Sequence, residues 1–298
     1  MTVLVLARDI DSQVDRVAAQ LATRDVPVFR TFLAAFPQSL TLDTRLGPDG
    51  WDGELAGAHS SVRLSDIRSV WYRQPSHFEF PAGMSSSERR HAAGEARSGF
   101  SGTLSRVNVP WVNHPARIAD AVKPAQLAVA RACGLRVPAT LVTNRPESVR
   151  RFAVDVGGPL AVKSMSAAVL AEAGGVKVVF TRRLDPAELD DLRGVETTMH
   201  LFQEFIEPKA FEARVTVVRD RIFAAAIHAS SDASKVDFRA DYDSLTYTII
   251  EPPGHVTTGM LAFMRAFGLL FGAFDFAVTP GGRLDHVRMQ SGRGVRMA

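Results

Sequence analysis

The first 32 residues constrain the fold more than any other stretch. Residues 2–7 form a short apolar β-run, residues 11–23 carry Val14, Val17, Ala18 and Leu21 at helical spacing, and residues 26–32 return as a second β-run. Two strands joined through one helix lie parallel, because the crossover brings the chain back to the same end of the sheet. The expected class is therefore α/β, opening on a parallel sheet.

The rest of the chain reads as more of the same, then as a mostly β region. Strands are predicted near 39–43 and 62–64 and over 67–72, the last running into Arg73-Gln74-Pro75. A helix over 85–106 starts with three serines and then Glu88, a capping-box pattern. Trp111-Val112-Asn113-His114-Pro115 reads as a break and a domain boundary. Beyond it the pattern predicts a helix over 116–133 punctuated by Pro124 and capped by Gly134, a strand over 140–143, and a helix over 146–156 with proline at its first position. Strands over 160–163 and 176–181 flank a small-residue loop through Gly174-Gly175; a helix over 186–192 and a strand over 199–206 follow. Residues 211–218 and 222–229 form a hairpin around Arg219-Asp220, then come a strand over 245–250, an amphipathic helix over 256–270 and a strand over 269–279. The implied division is 1–114, 115–199 and 200–298.

Bulk properties exclude several classes. No apolar run reaches the roughly 18 residues that cross a bilayer, and the first residues read as a strand with no basic region before them, so neither membrane nor secretion is expected. A single cysteine, Cys133, excludes a disulfide framework and fits a reducing cytoplasm. The net charge of +3 comes without a basic stripe interleaved with aromatics, so nucleic acid is not an expected partner; a small polyanion such as a nucleotide fits as well.

The residues that carry chemistry are few. Lys163 ends an apolar strand before a loop of Ser, Ala and Gly whose amides can bind anions, and reads either as a phosphate ligand or as a solvated strand-end lysine. Lys123 stands 40 residues earlier at a helix start, where an exposed lysine is equally ordinary. Gln203-Glu204-Phe205-Ile206-Glu207 is a strand exit of the kind that binds adenine through its backbone, with Glu204 or Glu207 near an amino group or ribose. Glu212 and Arg214 share one strand face, as site residues or as an ion pair. His228, Lys235, Arg239, Asp241 and Asp243 form a dense polar region; Arg239 is its best candidate for a bidentate contact with a phosphate or carboxylate. Asp275, between Phe274 and Phe276, needs a partner, either a magnesium ion or an arginine.

The order Lys123, Lys163 with its glycine loop, residues 201–207, Glu212-x-Arg214 and Asp275 resembles the ATP-grasp superfamily. Trp71-Tyr72-Arg73, Trp111-Val-Asn-His-Pro115, Lys123-Pro-Ala-Gln-Leu127, Val137-Pro-Ala-Thr-Leu-Val-Thr143, His200-Leu-Phe-Gln-Glu204, Arg214-Val-Thr-Val-Val218, Val236-Asp-Phe-Arg-Ala-Asp-Tyr242 and Phe271-Gly-Ala-Phe-Asp-Phe276 are similar to the ATP-grasp ribosomal-peptide maturases, the graspetide or microviridin-type ligases. The resemblance implies an N-terminal α/β domain, a central lid and a C-terminal ATP-grasp domain. It implies that ATP activates a side-chain carboxylate of a precursor peptide as an acyl phosphate, and that a hydroxyl or amine of the same peptide attacks it to close an ester or amide ring. Under it, Lys123 and Lys163 hold phosphates. Gln203, Glu204, Phe205, Ile206, Glu207 and Glu212 surround the nucleotide. Arg214 and Arg239 stabilise developing phosphate charge, and Asp275 binds Mg2+. Arg73 and His228 meet the peptide, through its leader and core, and a homodimer stays open. Another carboxylate–amine ligase of the superfamily, or a non-catalytic nucleotide- or peptide-binding remnant, are the alternative readings.

After Gly282 the resemblance stops. Residues 283–298 carry four arginines, no acid beyond Asp285 and no period of 2 or 3.6, where the family continues with a strand bearing Glu-x-Asn. A frame change of one nucleotide accounts for this, because codons that encode these residues can spell Glu-x-Asn-Pro when shifted; a natural extension is the alternative. Either way the expectation is a chain lacking the metal-binding strand.

Overall fold

The βαβ opening takes the form its periodicity predicts. In the structure, a computed structural model describing residues 1–290 except 74, 167–168, 173–174 and 179–180, the chain divides into two units. One is Met1–Ala119 with Leu269–Phe271, the other Asp120–Gly268 with Gly272–Gln290.

In the first unit, β1 (Thr2–Leu6), α1 (Ser12–Ala22) and β2 (Val28–Thr31) form the parallel crossover. The Asp11 side chain accepts from the Gln13 and Val14 amides and so satisfies two donors that a helix start leaves open. β3 (Thr41–Gly47), β4 (Gly50–Ala56) and β5 (Ser61–Arg63) make a separate antiparallel meander. β4 has no counterpart in the sequence reading, since its two glycines and two acids break any alternation. Gly53 is required there: its φ is +148° and a Cβ would come 2.0 Å from the Asp43 carbonyl oxygen. β6 (Ile67–Tyr72) and β7 (Trp111–Val112) complete the parallel sheet in the order β2-β1-β6-β7. Between them α2 (Ser86–Ala96) carries the Ser85–Glu88 capping box. A π-helical turn and α3 (Gly102–Leu104) then bring Phe100 and Leu104 into a core with Leu4, Phe29, Leu55 and Trp111.

Asn113 is buried and works as a piece of backbone. Its Oδ1 accepts from the Leu270 and Phe271 amides at 2.8 and 2.9 Å, and its Nδ2 donates to the Phe271 carbonyl at 2.7 Å. Asn113→Ala leaves these main-chain groups without a side-chain partner and is expected to lower stability by about 2–4 kcal/mol, read by denaturant unfolding. A loss under about 0.5 kcal/mol would show that other groups satisfy them.

The helix predicted over 116–133 is two, α4 (Pro115–Asp120) and α5 (Lys123–Ala132), because Pro124 in the first turn of α5 offers no N–H to a preceding turn. The second unit then builds two sheets. β8 (Thr140–Thr143), α6 (Pro146–Val156), β9 (Leu160–Lys163), β10 (Val169–Glu172), β11 (Gly175–Val178), β12 (Arg182–Arg183) and β13 (His200–Glu204) give an antiparallel sheet ordered β12-β9-β13-β8 and a β10-β11 hairpin. Gly174 of the predicted glycine loop lies outside the described residues. Val149 of α6 packs with Leu192, Val195 and Phe202 beneath that sheet. The helix predicted over 186–192 is a single 3-10 turn, Pro186–Leu189.

The other sheet holds β14 (Phe211–Val218), β15 (Arg221–Ala229), β16 (Leu245–Ile249), β17 (Phe271–Val278) and β18 (Leu284–Gln290), ordered β16-β15-β14-β17-β18. The short α7 (Asp232–Val236) follows β15, and α8 (Gly254–Phe267) buries Met260, Phe263, Met264 and Phe267. Among the described residues no helix is long and apolar enough to cross a membrane.

β18 corrects the reading of the tail. Residues 284–290 were expected to lack regular structure; they pair antiparallel with β17, setting Phe276 opposite His286 and Asp275 opposite Arg288. A register shift between Asp275 and Phe276 leaves one extra residue between His286 and Arg288, so the alternation changes phase there and no continuous period of 2 is visible. Residues 291–298 lie outside the described residues.

His286 is the anomaly of this strand. It is fully buried among Phe263, Phe274 and Phe276, and neither ring nitrogen has a hydrogen-bond partner among the described residues. Burial pushes its pKa down from 6.5 to about 4. Below pH 6.5 the unfolded chain binds a proton there while the native chain stays neutral until about pH 4, so stability falls by about 3 kcal/mol as pH drops through that window. His286→Met removes two buried unsatisfied nitrogens at similar volume and is expected to raise stability by about 1–3 kcal/mol and to flatten the acid limb. Unchanged unfolding profiles between pH 7 and 4 would refute this.

Candidate functional site

One cavity of the second unit gathers charged residues from both of its sheets. Lys123 comes from the first turn of α5, Lys163 and Ser164 from the end of β9, and Glu204, Phe205 and Ile206 from the exit of β13. Glu212, Asp275 and Arg288 come from β14, β17 and β18, and Asp237 and Arg239 from the segment after α7. Strand ends supply most of these groups, so side chains separated by more than 160 positions converge.

The lysines are fixed by neutral acceptors. Lys163 Nζ donates to Gln203 Oε1 at 2.5 Å, and Gln203, fully buried, donates from Nε2 to Thr140 Oγ1 at 2.9 Å. Lys123 Nζ donates to the Ser164 carbonyl. Burial pushes Lys123 down from 10.5 to about 7, helped by the charges of Arg288, Lys163 and Arg239. Burial likewise lowers Lys163 to about 8, against the pull of Glu212 and Asp237.

The carboxylates, in contrast, are matched by cations. Asp275, predicted as a metal ligand or an arginine partner, takes the arginine: its Oδ1 and Oδ2 accept from Arg214 Nε and Nη2 at 2.8 and 3.0 Å. Arg214 also lies 4.9 Å from the Phe238 ring centroid, so it sits beneath the cavity as a structural cation. Asp237 accepts from Arg239 through both oxygens and from the Thr181 amide at 3.0 Å. Burial alone would raise the Asp237 carboxyl, but these bonds hold it below the usual range. Burial raises the Glu212 carboxyl although Lys209 Nζ lies 2.6 Å from its Oε1.

Several predicted residues lie elsewhere. Glu207 is exposed and pairs with Arg183 at 3.2 Å, outside this cavity. His228, on β15, faces Thr248 Oγ1 at 3.2 Å and the Phe211 ring of β14. Arg73 belongs to the first unit, where its Nε donates to Asp11 Oδ2 at 2.8 Å. The Glu204 and Phe205 amides donate to the Ala139 and Pro159 carbonyls, so neither amide is available to a ligand, and Glu204 Oε2 accepts from the Ala139 amide at 3.2 Å. Lys209, Asp237 and Arg288 belong to the site and were not foreseen. Lys209, three residues before Glu212, was the one with a local signal.

Magnesium does not fit this donor set. It needs near-octahedral oxygen ligation, with one or two carboxylates besides phosphate. Both Asp275 oxygens serve Arg214, both Asp237 oxygens serve Arg239, Glu212 Oε1 accepts from Lys209, Glu204 Oε2 accepts from the Ala139 amide, and Arg288 stands opposite Asp275. Among the described residues no three His, Cys, Asp or Glu side chains form a group that could hold a metal ion.

Comparison with known proteins gives the same architecture. Residues 2–119 match the MvdD pre-ATP grasp domain family. The macrocyclase MdnC of Microcystis aeruginosa MRC, solved bound with its precursor peptide MdnA, is 28% identical with a TM-score of 0.86, over 99% of this chain and 92% of that one. A Chryseobacterium gregarium RiPP-associated ATP-grasp ligase, solved with ADP and a leader and core peptide, is 26% identical with a TM-score of 0.89, over 99% of this chain and 90% of that one. The ATP-grasp ligase PsnB, solved with a phosphomimetic minimal precursor, Mg and ADP, shares the fold at 23% identity and a TM-score of 0.76, over 99% of this chain and 91% of that one. No curated protein matches by sequence.

Proposed function

We propose that this chain, an ATP-grasp ligase carrying an MvdD-type pre-ATP-grasp domain at residues 2–119, closes side-chain ester or amide rings in a ribosomally made precursor peptide. The observation that carries the reading is the convergence of Lys123, Lys163 and Arg239 at the exit of β13, a polyanion site. Its relatives MdnC and the Chryseobacterium ligase are bound to precursor peptides, and the latter to ADP. Residues 115–199 serve as the lid and 200–298 as the catalytic domain in this reading.

The chemistry is phosphoryl transfer followed by acyl transfer. A peptide carboxylate oxygen attacks the γ-phosphorus of ATP, forming an acyl phosphate and releasing ADP. A peptide hydroxyl or amine then attacks the acyl carbon, the C–O bond to phosphate breaks, and phosphate leaves; the nucleophile's proton passes to solvent. Lys123 and Lys163 hold the phosphates. Arg239, oriented by Asp237, presents a guanidinium to charge developing on the transferred group. Phe205 and Ile206 line the wall for the base.

Incubating the chain with ATP and an acidic precursor peptide rich in Thr, Ser, Asp and Glu is expected to yield ADP and a peptide lighter by about 18 mass units per ring, the water lost on acylation. Turnover with a free amino acid instead of the peptide would favour a small-substrate ligase. A second reading, a nucleotide- and peptide-binding protein without turnover, is favoured by the donor set around Asp275; ADP binding with no mass loss would select it.

A further inference from the structure

We infer that this cavity binds nucleotide polyphosphate without a divalent cation, the protein's own cations taking the place of magnesium. The inference rests on the nucleotide reading above and adds that the ligand class is the metal-free nucleoside di- or triphosphate.

The argument starts at the β17–β18 ladder. Arg288 is the cross-strand partner of Asp275, and directly paired residues of an antiparallel ladder present their side chains on one face. Both line the cavity, so a cation rather than a second acid is paired with Asp275 on that face, and the nearby Glu212 accepts from Lys209 through Oε1. Asp275 is itself held by Arg214 through two hydrogen bonds, so an ion could reach it only by displacing a buried guanidinium. That displacement would leave Arg214 buried without its counter-ion, which is strongly unfavourable.

Charge at the phosphate end points the same way. Arg288 and Lys163 both lie close enough to Lys123 for their charges to lower its pKa, and Arg288 acts on Lys163 as well. A dication placed among these three groups would meet repulsion from each. A bare polyphosphate meets attraction from each, and its charge is largest without bound magnesium. Lys123 and Lys163 are anchored by a carbonyl and a side-chain amide oxygen, so the hydrogen bonds that orient them do not cancel their charges.

The test is calorimetry with ADP on the full chain, once in EDTA and once in excess Mg2+. Affinity in EDTA is expected to equal or exceed that in Mg2+; a gain from Mg2+ greater than about threefold overturns the inference. Arg288→Glu supplies a carboxylate and removes a cation, so it is expected to lose about tenfold or more of the metal-free affinity and to bind ADP more tightly with Mg2+ than without. Should that variant fail to fold, Arg288→Gln is expected to show the loss of metal-free affinity alone; unchanged affinity in it counts against the inference. Absence of ADP binding in both buffers overturns the nucleotide reading and the inference together, whereas binding that requires Mg2+ overturns only the inference.

Discussion

Asp275→Ala should destabilise the second unit by about 3–5 kcal/mol in buffer containing EDTA, because it strands the buried Arg214 guanidinium without a counter-ion. A carboxylate whose role is to ligate a metal would leave metal-free stability nearly unchanged when removed. The EDTA condition therefore separates the two roles of this one side chain. Replacing both partners, as in Arg214→Met with Asp275→Leu, should recover most of the loss, since the desolvation of two charges disappears with them. Urea unfolding of the two single variants and the double variant measures this directly. A metal-free loss below about 1 kcal/mol for Asp275→Ala would show that the ion pair is not what holds Arg214 in place.

Nucleotide affinity should fall steeply as pH rises from 7 to 9. Lys123 and Lys163 are held at about 7 and about 8 in the free protein, so both lose protons across this window. A bound polyphosphate favours the charged lysines and raises their pKa, so binding takes up protons there. Affinity then falls by about tenfold per pH unit for each lysine that has become neutral, with about 1.4 kcal/mol per unit behind it. Calorimetry at pH 8.5 in buffers of different ionisation heat should reveal uptake of one to two protons per nucleotide, expected on the order of these two groups. Lys163→Met should weaken ADP binding by about a hundredfold at pH 7 and remove its share of the uptake. A flat profile in the wild type, or unchanged affinity in Lys163→Met, would mean that the phosphates lie elsewhere.

Some elements could be read directly. β6, β8, β9, β14 and α6 have the bounds their patterns predict, because each carries one clear period and is closed by turn or cap residues. For α6 these are Pro146 at the start and Gly157, at φ +64°, past the end. β4 escaped because Leu55 is its one buried residue and two glycines interrupt its alternation, so no hydrophobic rule marks it. β18 escaped because a strand placed by its neighbour's ladder can carry arginine and histidine at positions that a free-standing pattern would forbid.

The site divides along the same line. The sequence determined which residue types were present and which strand ends carried them. Lys163 after an apolar run, Glu204 at a strand exit and Asp275 between two phenylalanines are local facts, and each was named from its neighbours alone. Pairing was not determined there, because the energy of two charges depends on their separation and burial and not on their distance along the chain. Only the tertiary structure decided that Asp275 belongs to Arg214, 61 residues away, and Asp237 to its near neighbour Arg239. It also decided that Lys123 and Lys163 hold neutral oxygens while Arg288 stands among them. Two sheets meeting in one unit set those separations, and with them which charges are already matched and which face a ligand.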